Sequence, residues 1–209
     1  MPTCPGTACK GGKARALTVP ATNARTYVER ANLWLAEEEP LAAVSDYSRA
    51  IELEPGNTAA ITGRAGAHQM LGQFTMAAAD WTRLIAILPS ADTAYAGRAA
   101  AQFAAGNSTE AIADFTQAIG LNPKNRDAIL GRAGVYDKLD QRDKALADFA
   151  LILDADPAYV PAHFAKAQAL ERWGEKYVAI ESYVTVLKYE RVHQAARKAL
   201  LRLGVFNIP

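Results

Sequence analysis

The residues of this chain most able to bind a metal or act as nucleophiles are three histidines and two cysteines. Cys4 and Cys9 have no histidine near them in the sequence, and their spacing is not that of a zinc site. His68, His163 and His193 are far apart, and none belongs to a motif such as HExxH. The sequence also lacks a glycine-rich phosphate-binding loop. We therefore expect free thiols, packed or solvated histidines, no metal, no cofactor and no catalytic activity.

Charged residues of opposite sign recur in two columns, with 34 residues between successive members. The basic column consists of Arg30, Arg64, Arg98, Arg132 and Lys166. The acidic column consists of Asp46, Asp80, Asp114 and Asp148, and Ser182 stands in the fifth place. We predict that this charge ladder pairs arginine with aspartate within or between neighbouring repeats, because matched, partly buried ions fix the register of packed helices. Anion binding by the arginine column is the alternative that involves a ligand.

The charged columns belong to a larger frame with the same period. Alanine recurs at Ala43, Ala77, Ala111, Ala145 and Ala179, and an aromatic residue follows at Tyr47, Trp81, Phe115, Phe149 and Tyr183. Proline recurs at Pro55, Pro89, Pro123 and Pro157, and a second alanine column consists of Ala31, Ala65, Ala99, Ala133 and Ala167. A close helix contact needs a small side chain, a buried aromatic ring fills the gap between helix pairs, and proline ends a helix. The frame therefore predicts pairs of antiparallel helices that stack on one another.

This frame resembles the tetratricopeptide repeat, in which 34 residues form a helix-turn-helix unit with an Ala, Phe, Pro pattern. The resemblance covers residues 24–193 and implies an all-α fold, a right-handed α-solenoid of five repeats followed by a C-terminal capping helix. The repeats are expected at residues 24–57, 58–91, 92–125, 126–159 and 160–193. Residues 194–209 are expected to form the capping helix and a tail, and Asp140 is expected to be the N-cap of the second helix in the fourth repeat.

Composition and charge argue against several kinds of partner. The 209 residues include 23 basic and 22 acidic side chains, and a net charge of +1 does not suggest a general binder of nucleic acid or anionic membranes. Because no apolar run reaches about eighteen residues, we expect no membrane insertion. Residues 1–23 read as a poorly ordered leader. The first acidic residue of the chain is Glu29, and it is preceded by four basic residues, Lys10, Lys13, Arg15 and Arg25. An organelle transit peptide therefore stays open as an alternative to a cytoplasmic location.

The resemblance also implies a binding surface, since the first helices of tetratricopeptide repeats line a concave groove where ligands lie. Carried onto this sequence, the groove is lined by Asn32, Leu35, Gly66, Gln69, Met70, Ala100, Phe103, Leu130, Gly134, Asp137, Lys138, Phe164, Gln168 and Arg172. The middle of that surface is small and apolar, which suits a docked peptide or amphipathic helix. Close packing alone is the alternative explanation for its alanines and glycines.

One subset of the family grips the C-terminal carboxylates of chaperone tails with Lys, Asn and Arg side chains. At the matching places this chain has Val28, Asn32, Gly63, Thr93 and Gly97. Only one of these residues keeps the polar group of the clamp, so the sequence does not predict carboxylate clamping.

The leading functional prediction is a non-catalytic adaptor that binds a peptide or helix of a partner protein in the groove. A self-assembling scaffold is the second possibility, in which the fifth repeat, with Trp173, Tyr177 and Tyr189, packs against another copy. A third is a co-chaperone-like protein without the carboxylate clamp.

Overall fold

A computed structural model describes residues 21–207, which form eleven α-helices and no strand. The helices are α1 (Ala24–Ala36), α2 (Pro40–Leu53), α3 (Thr58–Met70), α4 (Phe74–Ile87), α5 (Asp92–Ala104), α6 (Ser108–Leu121), α7 (Arg126–Lys138), α8 (Arg142–Ala155), α9 (Val160–Arg172), α10 (Lys176–Tyr189) and α11 (Gln194–Arg202). The all-α prediction is confirmed. Cys4, Cys9 and most of the predicted leader lie outside the described residues.

The chain divides into two compact units, Met1–Glu110 and Ala111–Pro209, with the boundary inside α6. In the first unit, α1 packs on α2 and α3 packs on α4, and α5 packs on α4. In the second unit, α7 packs on α8 and α9 packs on α10, and α11 packs on α10. Within each unit, then, the first helix of a hairpin contacts its own second helix and also the second helix of the preceding hairpin.

The turn inside each hairpin contains one residue in the left-handed conformation. Gly72 has a φ of 70° and Gly174 a φ of 83°, a region that glycine enters at no steric cost. Asp140 takes the same place with a φ of 55°. The prediction that Asp140 caps α8 was therefore wrong: the N-cap residue is Gln141, and the Asp140 carboxylate accepts a hydrogen bond of 2.8 Å from Arg142 Nε. The short polar side chain of Asp is among the few that tolerate this conformation.

Both alanine columns are completely buried. No surface is exposed at Ala31, Ala43, Ala65, Ala77, Ala99, Ala111, Ala133, Ala145, Ala167 or Ala179. Methyl groups at these positions allow the helices of a hairpin to approach closely, which a larger side chain would prevent.

The buried aromatic column packs against a glycine in the first helix of the next repeat. In the first unit, the Tyr47 ring lies where a Cβ of Gly63 would be, and the Trp81 ring lies where a Cβ of Gly97 would be. In the second unit, Phe115 covers Gly131 in the same way. These glycines also recur every 34 residues. The contact between ring and glycine backbone is therefore a repeated feature that holds successive hairpins together.

The C-terminal helix α11 covers the apolar side of α10. Ala196 and Leu200 are fully buried against α10, and His193 caps the helix by accepting a hydrogen bond of 3.1 Å at Nδ1 from the Ala196 N–H. Lys198 and Arg202 are exposed on the other side. This arrangement suits a helix that ends a stack of repeats with one polar side.

Candidate functional site

The fourteen predicted groove residues occupy the fifth, ninth, twelfth and thirteenth positions of their repeats. Residues with these spacings lie on one face of an α-helix. We call this surface the first-helix face. It belongs to α1, α3 and α5 in the first unit and to α7, α9 and α11 in the second.

The first-helix face of the first unit is mostly apolar. Leu35, Gln69 and Phe103 are half-buried, whereas Asn32, Met70 and Ala100 are exposed, and Gly66 has open space where a Cβ would project. Met70 exposes 56% of its surface. On this face the first unit therefore presents Met70, Ala100 and part of Phe103 to solvent, with open space over Gly66.

Asn32 and Gln69 are the polar residues of this face in the first unit, and Asn32 is the exposed one. Its Oδ1 accepts a hydrogen bond of 2.5 Å from the Tyr47 hydroxyl. Burial raises the pKa of Tyr47 to about 12. The hydroxyl therefore stays protonated as a donor at physiological pH.

In the second unit, the predicted residues divide between the core and the surface. Leu130 and Phe164 are half-buried and packed in apolar clusters, and the Phe164 ring lies 5.8 Å from the ring of Tyr183 and 4.6 Å from that of His193. Gly134 has open space at its Cβ position, as Gly66 does. The residues that the face presents to solvent are Lys138, Gln168 and Arg172, with the half-buried Asp137 beside them.

Ion pairs join neighbouring first helices across this part of the face. Arg172 Nη2 on α9 donates to Asp137 Oδ2 on α7. Arg202 on α11 donates from Nε and Nη2 to Glu171 Oε1 on α9, at 3.0 and 2.8 Å. The Tyr183 hydroxyl donates to Glu171 Oε2 at 2.8 Å, and burial, followed by this carboxylate, raises the pKa of Tyr183. The carboxylates lie deep, while the guanidinium groups reach solvent.

These side chains enclose a pocket of about 340 Å³ within the second unit, lined by Gln168, Glu171, Arg172, Tyr183 and Arg202. The sequence prediction included Gln168 and Arg172 but missed Glu171 and Arg202. A signal was available, since Glu171 occupies the twelfth position of its repeat, as Asp137 does. Arg202 occupies the ninth position of the frame continued into α11.

The charge ladder forms ion pairs within single repeats. Arg30 donates to both Asp46 oxygens at 2.7 Å. Arg64 donates to Asp80 at 2.9 and 2.5 Å, and Arg132 to Asp148 at 2.9 and 2.7 Å. Hydrogen bonding to the carboxylate raises the pKa of Arg30 and of Arg132. Because both oxygens of each buried aspartate are engaged by one guanidinium, these arginines suit structural pairing better than anion binding. The predicted pair of Arg98 and Asp114 would join the two units and stays a prediction.

Three arginines of the ladder also contact the preceding repeat. Arg98 Nη1 donates to Thr82 Oγ1 at 3.2 Å. Arg64 Nη1 donates to Ser48 Oγ at 3.1 Å, and Arg132 Nη1 donates to Thr116 Oγ1 at 3.1 Å. Arg64 and Arg132 therefore each link two hairpins as well as the two helices of their own.

The histidines serve packing and capping. His68 is buried, with Nδ1 2.6 Å from Gln73 Oε1, and His163 Nε2 lies 2.8 Å from the Pro157 carbonyl oxygen. Within residues 21–207, no three His, Cys, Asp or Glu side chains are grouped so that they could hold a metal ion. No helix in the same range is long and apolar enough to cross a bilayer.

Comparison with known proteins identifies the repeat. A family model described as "Tetratricopeptide repeat" matches residues 102–171, and no curated protein sequence matches the chain. Among solved structures, the chain is similar to TTC0263, a thermophilic tetratricopeptide-repeat protein of Thermus thermophilus. The identity is 21%, the match covers 88% of this chain and 100% of that chain, and the TM-score is 0.72.

Two further similar structures carry peptide-related descriptions. YrrB, described as having an unusual peptide-binding site, is 18% identical over 85% of this chain and 91% of that chain, with a TM-score of 0.61. The first tetratricopeptide-repeat domain of Spaghetti, solved with the HSP90 peptide SRMEEVD, is 27% identical over 58% of this chain and 97% of that chain, with a TM-score of 0.54.

Proposed function

We propose that this chain, in which a tetratricopeptide-repeat family model matches residues 102–171, is a non-catalytic adaptor that binds a peptide segment of a partner protein on the first-helix face. The observation that carries the proposal is the uncovered apolar surface around Gly66 in the first unit, with Met70 56% exposed and Ala100 beside solvent. Burying apolar surface contributes roughly 25 cal/mol per Å². An apolar peptide side chain placed over Gly66 would bury its own apolar surface and that of the protein, and both contribute to the binding free energy.

The residue types at this surface suit a peptide ligand. Met70 is flexible and polarizable, and such side chains adapt to different apolar partners. Gly66 and Ala100 keep the surface low, so a main chain can approach the helices closely. Peptide binding by YrrB and by the Spaghetti domain supports the same kind of role.

The ligand is proposed to differ from a clamped chaperone tail. Gly63 and Gly97 stand where the clamp has polar side chains, and any Cβ there would overlap the ring of Tyr47 or Trp81. A clamp could not be built at these two places without displacing the aromatic column. This favours a peptide recognised through apolar side chains over one recognised through a terminal carboxylate.

The experiment selects peptides from a random phage-displayed library on the purified chain and measures the Kd of a selected peptide by fluorescence anisotropy. Ala100→Glu places a charge on the apolar surface and is expected to weaken binding by about tenfold or more. Ala79→Glu makes the same change at an exposed site on α4, outside the first-helix face, and should leave the Kd within about twofold. Equal weakening by both variants, or failure to select any peptide, would contradict the proposal.

Self-association through the fifth repeat is a second candidate, favoured by one observation. Tyr177 exposes 82% of its surface at the start of α10, beside Val178 at 43%. Trp173, by contrast, is half-buried in two apolar clusters with the Arg142 guanidinium over its ring. Light scattering over a concentration series tests this candidate. A dimer that Tyr177→Ser dissociates supports it, and a monomer at every concentration refutes it.

A further inference from the structure

Three exposed cationic side chains follow one another across the first helices of the second unit: Lys138 on α7, Arg172 on α9 and Arg202 on α11. The side chains of Arg172 and Arg202 are 56% and 65% exposed. The carboxylates that pair with them lie beneath, with Asp137 at 9% and Glu171 at 21%. These five groups sum to +1, from three positive and two negative charges, and the positive charges face solvent.

Donor groups remain available in this row. Arg172 engages Asp137 through Nη2 and Arg202 engages Glu171 through Nε and Nη2, which leaves Arg172 Nε and Nη1 and Arg202 Nη1 free among residues 21–207. Lys138 and Gln168 are exposed on the same face. Guanidinium and ammonium groups carry only donors, so a ligand that satisfies them must supply acceptors, ideally charged ones.

The spacing of the row indicates the shape of that ligand. The ion pairs Asp137–Arg172 and Glu171–Arg202 show that α7, α9 and α11 are direct neighbours at this surface. Packed helices lie about 8 to 10 Å apart, and an extended chain advances about 3.3 Å per residue. The distance from one helix axis to the next therefore equals about three residues of an extended peptide. Because the three cations lie on three helices, a single carboxylate cannot contact all of them.

We propose that Lys138, Arg172 and Arg202, with Gln168 lining the same pocket as the two arginines, bind an extended acidic peptide whose carboxylates recur about every third residue. The proposal rests on the proposed function, since it places a peptide on the first-helix face, but it uses residues of the second unit alone. The pocket of about 340 Å³ is lined by Gln168, Arg172 and Arg202 together with Glu171 and Tyr183, and Glu171 is already engaged by Tyr183 and Arg202. One carboxylate side chain of the peptide would enter this pocket on the arginine side. Charge complementarity gives specificity and faster association here rather than high affinity.

Gln168 is the residue at which this site can be tested without disturbing the fold. Its side chain is exposed and lines the pocket, and changing its charge breaks none of the ion pairs that hold α9 to its neighbours. Gln168→Glu should weaken binding of an acidic peptide by about threefold and Gln168→Lys should strengthen it similarly, as expected for one exposed charge pair. Gln117, exposed on α6 in the same unit, provides the matched control through Gln117→Glu and Gln117→Lys.

The probe is the labelled peptide Ac-ESGESGESG-NH2, and the comparison peptides replace each Glu by Gln or place the three Glu residues side by side. Anisotropy at low salt should show the spaced acidic peptide binding tightest, opposite shifts for the two Gln168 variants, and weakening as salt rises. Thermal unfolding of each variant confirms that folding is intact.

Several results would overturn the proposal: equal shifts from Gln117 and Gln168 variants, equal binding of the Gln peptide, or no advantage of the spaced over the contiguous acids. The experiments distinguish failure of this acidic-peptide proposal from failure of the proposed function. Loss of the library-selected peptide in Ala100→Glu reports on the proposed function, whereas opposite shifts of the two Gln168 variants with the acidic probe report on this site.

Discussion

Adding one methyl group at Gly63 should destabilise the protein, whereas adding it at Gly66, one turn later in α3, should not. A Cβ at Gly63 would lie 2.5 Å from Tyr47 Cε1 and 2.6 Å from the Tyr47 hydroxyl oxygen, and closer still to Cζ. Carbon atoms in van der Waals contact lie about 3.5 to 4.0 Å apart, so the ring must move. A Cβ at Gly66 meets no atom within 4 Å.

Two opposing effects determine how much each substitution changes the free energy of unfolding. Alanine is more favourable than glycine in a helix interior by about 1 kcal/mol, and this gain applies to both substitutions. Overpacking a core costs about 1 to 3 kcal/mol, and displacing the Tyr47 ring also breaks its hydrogen bond to Asn32, worth about 1 kcal/mol. Gly63→Ala should therefore lower the free energy of unfolding by about 1 to 3 kcal/mol. Gly66→Ala should raise it by up to about 1 kcal/mol.

Urea denaturation followed by far-UV circular dichroism measures both variants, and a second background tests the cause. In a Tyr47→Ala protein the ring is gone, so adding Gly63→Ala should cost nothing or stabilise the helix. If Gly63→Ala is harmless in the parent protein, or equally harmful with and without the Tyr47 ring, the close contact between ring and glycine is not what joins these hairpins.

Three further predictions concern an ion pair, a tyrosine hydroxyl and a helix cap. Asp80→Asn should lower the free energy of unfolding by about 3 kcal/mol because Arg64 loses its buried partner. Glu52→Gln, in an exposed ion pair with Arg49, should leave the free energy of unfolding unchanged within the error of the same urea assay. Burial raises the pKa of Tyr47 from about 10 to about 12, so the folded chain holds this proton up to a higher pH than the unfolded chain. The free energy of unfolding should therefore be constant up to about pH 10 and fall as the pH rises toward 12. In Tyr47→Phe the fall over this pH range should be smaller. His193→Ala removes the N-cap of α11 and should cost about 1 kcal/mol, seen as faster hydrogen exchange in that helix.

The repeat frame was sufficient to predict the helices because each recurring residue type has one role in helix packing or helix termination. Pro40 stands at the start of α2, where its missing N–H costs nothing, and the column from Tyr47 to Tyr183 is buried throughout. The glycines at Gly63 and Gly97 carried an equally periodic signal. Their role depends on a ring from another repeat, which is visible only once the hairpins are stacked.

The surface residues were harder to predict than the core because side-chain direction is set by three-dimensional neighbours. Leu130 and Phe164 share a helix face with Gly134 and Gln168, yet their side chains turn toward apolar clusters. The pairing of Glu171 with Arg202 joins residues of different repeats, so no pattern within one repeat contains it. Periodicity identified the face, but it did not determine which side chains of that face reach solvent.

The location of the bound peptide can be measured directly by photo-crosslinking. A benzoylphenylalanine residue is introduced in place of Ala100 on the first-helix face or in place of Ala79 on α4, both exposed, and each protein is irradiated with a library-selected peptide. Peptide binding on the first-helix face predicts a covalent adduct from position 100 and none from position 79. An adduct from position 79 alone, or equal yields from both positions, would contradict it.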